Sequence, residues 1–406
     1  MYHQEIVKPP KGYDRRSFDA CGISAFMNVD GKMESGEKIV KMITTMMDRE
    51  NGLGAGFAIY GIFPDRKDYF CFQMLLDDEE AKRRVRDYLS RHTMIVDEEP
   101  IPTRETPAVR QPIPVLWRFF LSPLEEKKRE QDAYDYMMRI VMYINAEIDG
   151  AFCMSSGKNM AVFKGNGWSG DVAHFYAIDE IQSYFFMAHS RFPTNTPGWW
   201  GGAHPFNLFD LSIIHNGEIT SYGTNKRYVE MFGYRCTLMT DSEVVTYILD
   251  LLIRRQKLPL QVACMAAAPA YHKVIESHEG EKLSFWRLIR ETYRPAMING
   301  PFSICVGMNE PTPALLGLTD RKKLRPLIAA TSRGGRSVFL SSEECAVRII
   351  GEEVEQVWAP LAGNPVIVEK GSGIVSKGET PPLADHQVKM IPKAAPEDSA
   401  LEHPVS

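Results

Sequence analysis

The sequence has no uninterrupted apolar run approaching the roughly 18 residues of a membrane span, so no membrane association is expected. Its seven cysteines, at 21, 71, 153, 236, 264, 305 and 345, form no CxxC pair. That excludes a zinc-ribbon or iron–sulfur ligand set, and the odd number excludes a fully paired disulfide framework. Free thiols belong to a reducing compartment, and a cytoplasmic location is expected. There is no dense basic block. Lys82, Arg83, Arg84 and Arg86 stand beside Asp77, Asp78, Glu79 and Glu80 and read as a solvated helix face, and the formal net charge is -5. That balance gives no electrostatic footprint for nucleic acid. Residues 1–20 are polar and basic and lack the apolar core of a signal peptide. No internal repeat is present.

What is there is ordinary globular material: 44% of the 406 residues are hydrophobic. Ile39, Met42, Ile43 and Met46 recur at helical spacing, so 36–48 is expected to be an amphipathic helix. A long helix is expected over 125–147 and others over 225–232, 241–252 and onward to about 293. Short apolar runs predict strands at 22–29, 57–63, 69–76, 184–189, 211–214 and at five places between 302 and 368. Residues 152–163 read as a hairpin around Gly157-Lys158, and 192–204, dense in Pro, Gly, Asn and Trp, as a loop. Strands cluster at both ends of the chain with helices between them, which argues for α+β layering over a βαβ repeat.

Four segments carry chemistry: Asp19–Ile23 around Cys21, Ala188–Thr196 around Arg191, His215–Ile219, and Thr240–Glu243. Each also has an ordinary reading. Cys21 at a strand start serves as a small buried residue. Arg191 serves as a surface cation. Asn216-Gly217 is a strong two-residue hairpin signal. Thr240-x-x-Glu243 before an apolar run is a capping box, with Asp241 complementing the helix dipole. Together the segments supply a thiol, a side-chain amide beside a backbone N–H, a guanidinium and a carboxylate. An arginine grips a carboxylate through two parallel hydrogen bonds, an aspartate grips an ammonium, and an amide with a neighbouring N–H forms an oxyanion hole. Those are the groups needed to hold an amino acid and attack its side-chain amide.

In that order the segments resemble the class II glutamine amidotransferases, whose domains are N-terminal-nucleophile hydrolases, and most closely the amidotransferase domain of glutamate synthase. Met160–Gly165, Trp199-Trp200, Ala203–Phe206, Asp320-Arg321, Leu324–Pro326 and Ser342-Glu343 extend the likeness over 21–375. The resemblance implies a four-layer αββα sandwich with residues 77–147 as a decorating insert and 376–406 as a flexible tail. It implies that residues 1–20 are a leader whose removal makes Cys21 the first residue. The released α-amine, with a pKa near 7.7, then serves as base to its own thiol.

The implied roles follow the matching positions. Cys21 attacks the amide of L-glutamine, and Asn216 with the Gly217 N–H forms the oxyanion hole. Arg191 binds the substrate carboxylate and Asp241 its ammonium. Arg49 and His215 complete the substrate surroundings, with His189 and His215 shaping the site by hydrogen bonds and not as catalysts. Residues 192–204, with Trp199 and Trp200, form a lid; a rigid surface loop is the other reading. The family usually carries His-Arg-Gly where this chain has Asp48-Arg49-Glu50, so only Arg49 carries over. No cofactor is expected in this chain. FMN and an iron–sulfur cluster are expected on a separate synthase subunit that receives the ammonia. Two alternatives stay open: a subunit serving another acceptor, such as an N-methylglutamate synthase, and a non-catalytic interaction subunit that retains the fold. Intact mass of the purified protein is expected to lack residues 1–20; a full-length mass on a protein that releases glutamate from glutamine would overturn the leader assignment.

Overall fold

A computed structural model of the chain describes residues 21–130, 132–192, 198–351 and 354–379. Residues 1–20, expected as a leader, residues 193–197 of the 192–204 loop and residues 380–406, within the expected tail, lie outside the described residues. The fold is built on two antiparallel sheets laid face to face. The first has seven strands, in the order Val354–Trp358, Ile328–Ser332, Ser337–Ser341, Gly22–Asn28 (β1), Phe185–Ser190 (β2), Ala55–Tyr60 and Met160–Gly165. The second has six, in the order Phe206–Leu208, Leu211–Gly217 (β3), Phe302–Met308, Ala314–Thr319, Val366–Glu369 and Gly373–Lys377.

Period-two alternation sorts each strand between two cores. From β1, Ile23, Ala25 and Met27 face the other sheet, where they join Met187, Ile214, Cys305, Leu315 and Val368 in one buried layer. Phe26, Phe186 and Phe339 point the other way, onto Ile39, Met42 and Ile43 of the helix Glu37–Thr44 and onto Val172 and Phe175 of Ser169–Phe175. On the outer face of the six-stranded sheet, Ile213, Ile304 and Leu316 pack against Val245 and Leu249 of the helix Asp241–Asp250 (α1) and Cys264 of Leu260–Ala267. The layers are therefore helix, sheet, sheet, helix: the expected αββα sandwich.

A further four-stranded sheet, Thr93–Pro100, Val115–Pro123, Phe70–Leu76 and Ala151–Ser155, packs with the helices Glu79–His92 and Ala133–Glu147 against the far side of α1. This sheet corrects two readings. Residues 151–155 and 160–165 do not form a hairpin with each other, because the chain leaves one sheet and enters another between them. The helix expected over 125–147 is two, Glu125–Glu130 and Ala133–Glu147, the second started by Asp132, which accepts from the N–H groups of Tyr134 and Asp135. The Asn216-Gly217 hairpin signal also fails. Both residues lie within β3, paired with Ser303 and Phe302. Glu50 holds a helix start: its carboxylate accepts from the N–H and hydroxyl of Ser169, at 2.9 and 2.8 Å, where Ser169–Phe175 begins.

The core predicts its own sensitivity. Phe186 is fully buried and stacks on Phe26 with ring centroids 5.2 Å apart, so Phe186→Ala is expected to cost about 3–5 kcal/mol. A urea unfolding midpoint close to that of the wild type would contradict this packing.

Candidate active site

Strand register brings the four chemical segments to one end of the sandwich. In β2, His189 pairs with Ile23 of β1, and its Nε2 donates to the carbonyl of His215 in β3 at 3.0 Å. The end of β3 is thereby held against the start of β1. Asn216 shares the face of Ile214 by alternation and points between the sheets. Its side chain is fully buried, and neither Oδ1 nor Nδ2 has a partner. An orphaned buried amide costs about 1–3 kcal/mol, so its retention points to an occupant that arrives with the substrate. Gly217 has φ 142°, and a Cβ there would lie 2.0 Å from the carbonyl of Pro301. Only glycine fits, because that close approach carries the strand into Glu218.

Cys21 is half-buried just before β1. Its Sγ accepts from the Phe192 N–H at 3.3 Å, and its carbonyl accepts from Arg49 Nε at 3.2 Å. Arg49 is steadied by Glu343, whose Oε1 lies 2.8 Å from Nη1. Next to it, Ser342 pins β1: its N–H donates to the carbonyl of Ile23, and its hydroxyl accepts from the Ile23 N–H at 3.2 Å. Burial pushes the Cys21 thiol up; the Phe192 N–H, Arg191 and Arg49 pull it back toward thiolate. Arg191 is buried, its N–H donating to the carbonyl of Gly54, and the charges of Cys21 and Asp241 both act on its guanidinium.

Asp241 opens α1. Thr240 caps that helix, accepting from the Ser242 N–H at 3.3 Å. The expected capping box is not closed: the Glu243 carboxylate reaches further back, to the N–H groups of Thr237 and Leu238. The Asp241 carboxylate accepts from the Ile219 N–H at 2.9 Å and from the Ser242 hydroxyl at 3.2 Å. Its side chain is 20% exposed, so part of the carboxylate stays open to solvent. Trp200 is built into the core, edge-on to Phe175, with its Nε1 donating to the carbonyl of Arg110. Trp199 is the half-exposed one of the pair and folds over Gly201 and Gly202. Residues 193–197 of the expected lid lie outside the described residues.

The residues sequence reasoning missed lie just behind this surface. Lys164 is fully buried, and its Nζ donates to the carbonyls of Gly201 and Ala203 at 2.9 and 3.0 Å. Burial pulls its pKa down to about 7, and burial pushes Glu243 up to about 7. His204 stacks on His189 at 4.0 Å and meets Ser242. Both Lys164 and His204 fall inside runs that the family resemblance covers, but nothing local distinguishes a buried lysine from an exposed one. Gly165-Asn166-Gly167-Trp168-Ser169-Gly170 spells G-x-G-x-x-G between a strand and a helix. The Glu50 carboxylate already occupies that helix start, which is unfavourable for a pyrophosphate there. Among the described residues no group of three or more His, Cys, Asp or Glu could hold a metal ion, and no helix is long and apolar enough to cross a membrane.

The family profile "Glutamine amidotransferases class-II" matches residues 77–235. The chain is 43% identical over 373 residues to an uncharacterized protein of Archaeoglobus fulgidus, covering 90% of this chain and 95% of that one. It is 24% identical over 347 residues to a candidate glutamine amidotransferase of Methanothermobacter thermautotrophicus, covering 83% of this chain and 96% of that one. The likeness to the class-II glutamine amidotransferases thus spans a profile match over residues 77–235 and a full-length similarity at 24% identity. The chain is also similar, at 24% identity over 227 residues, to the amidophosphoribosyltransferase of Methanocaldococcus jannaschii, of which it covers 41%.

The three histidines at this site are buried, and their pKa values are lowered by that burial: His189 to about 3, His204 well below the ordinary value, His215 below it. All three are expected to stay neutral as the pH falls from 8 through 6.5, where a solvated imidazole takes up its proton. Side-chain ¹⁵N spectra read this directly, and a midpoint near 6.5 for any of the three would contradict the burial.

Proposed function

We propose that this chain is a glutaminase subunit that hydrolyses L-glutamine to glutamate and ammonia through a thioester on Cys21, and that the ammonia passes to a separate synthase subunit of the glutamate synthase type. The observation that carries the reading is the unpartnered Asn216 amide, fully buried between the sheets at the end where Cys21, Arg191 and Asp241 gather.

In this reading the substrate carboxylate pairs with Arg191 and its ammonium with Asp241. With residues 1–20 removed, the Cys21 α-amine takes the thiol proton and Sγ attacks the amide carbon. The oxygen that becomes negative is met by Asn216 Nδ2 and the Gly217 N–H. The amine returns its proton to the leaving nitrogen, ammonia departs, and the thioester is left. Water, deprotonated by the same amine, then releases glutamate. Arg49 keeps the Cys21 carbonyl, and with it the nucleophile's backbone, in one place. The polypeptide supplies every group this half-reaction uses, and FMN and an iron–sulfur cluster are assigned to the partner.

Glutamate release from glutamine, measured on the mature protein, tests the assignment. Cys21→Ala is expected to abolish it, and Asn216→Ala to lower kcat by about 10²–10³-fold, the usual loss of one oxyanion donor. Wild-type turnover in either variant would sink the mechanism.

A further inference from the structure

Ser242 is buried behind Asp241 and has no part in the chemistry above, yet three polar groups converge on its hydroxyl. His204 Nε2 lies at 2.8 Å, His215 Nδ1 at 3.0 Å and Asp241 Oδ1 at 3.2 Å. A hydroxyl has one proton to give and two lone pairs to offer. The carboxylate oxygen only accepts, so the serine proton goes to Asp241, and both imidazoles donate to the serine oxygen. That fixes His204 as the Nε2–H tautomer and His215 as the Nδ1–H tautomer, and leaves His204 Nδ1 and His215 Nε2 as the bare nitrogens. Both of those atoms are buried without a partner, so what is left unmet is an acceptor on each ring and no N–H. His189 is fixed in the same way: a carbonyl only accepts, so its Nε2 carries the proton, and its Nδ1 is likewise bare.

The hydroxyl is therefore not free to rotate. Two donors hold it with its proton on Asp241. The other carboxylate oxygen, Oδ2, is held by the Ile219 N–H. Each oxygen of Asp241 thus has one fixed donor and keeps lone-pair capacity for a second. His204 is itself placed by the segment that Lys164 ties down through the carbonyls of Gly201 and Ala203. The root of the 192–204 loop and the orientation of Asp241 share one anchor.

We propose that Ser242 is a positioning residue that aims the Asp241 carboxylate at the substrate's α-ammonium, with His204 and His215 as neutral donors that lock its hydroxyl. The proposal rests on the glutaminase reading, in which Asp241 binds that ammonium. Its signature is selective. Loss of the hydroxyl weakens recognition of molecules that carry the ammonium and leaves recognition of the bare diacid alone, because the carboxylate at Arg191 is untouched.

The test uses the mature full chain, with steady-state hydrolysis of L-glutamine and competitive inhibition by L-glutamate and by glutarate, the same diacid without its ammonium. Ser242→Ala is expected to raise the KM for glutamine and the inhibition constant of L-glutamate about tenfold, the order lost with one hydrogen bond to a charged group. The glutarate constant is expected to stay within about twofold, the spread of a variant that leaves the Arg191 contact intact. Ser242→Thr, which keeps the hydroxyl, is expected to recover most of the loss. Equal weakening of glutamate and glutarate would make the serine a fold support and overturn the proposal, as would an unchanged KM. A wild-type protein that hydrolyses no glutamine overturns the glutaminase reading and this proposal together; an active wild type with an indifferent Ser242→Ala overturns this one alone.

Discussion

The site depends on one hydrogen bond across the sandwich, from His189 Nε2 to the carbonyl of His215. The layer between the two sheets is apolar along most of its length, and apolar contact is non-directional. It sets how closely the sheets approach but gives no atomic register between their ends. The bond at His189 supplies that register. It joins the strand next to β1 to the strand that ends in Asn216 and Gly217, and so places the thiol segment and the amide segment at a common opening. That bond needs a proton on Nε2, and the neutral imidazole that burial favours carries it there.

Burial shifts the proton affinity of several polar groups: Lys164 is pulled down and Glu243 and Glu50 pushed up to about 7, and three histidines are lowered. These groups act on stability with opposite signs. A histidine whose folded pKa lies below 6.5 leaves the unfolded chain binding more protons, so stability is lost as the pH falls below 6.5. For Glu50 and Glu243 the folded pKa is raised, so the folded chain binds more protons, and stability is lost as the pH rises from 4.5 through 7. Lys164, lowered from 10.5, works the other way from those carboxylates above 7. The opposed contributions meet around neutrality.

Not every conspicuous feature belongs to this network. Among the described residues a cavity of about 1090 Å³ lies at the opposite end of α1, lined by Leu208, Leu211, Arg254, Leu260 and Met308 among others, and it contains none of the site residues.

The chemical inventory and the layering were legible in the chain's local patterns. The thiol, the guanidinium, the amide beside a glycine and the helix-starting carboxylate sit in short runs whose order carries the family likeness, and period-two and helical spacing are local properties that a chain displays openly. Residues 152–163 misled because two adjacent strands look the same whether they pair with each other or enter different sheets. Asn216-Gly217 misled because a glycine needed for positive φ is also the mark of a turn. It took the three-dimensional arrangement to make Trp200 core and Trp199 half-exposed, to turn Glu243 back onto Thr237 and Leu238, and to stand Lys164, His204 and Ser242 behind the site. The reason is physical: burial, tautomer and proton placement are set by neighbours far away along the chain, and no local pattern records which of them will arrive.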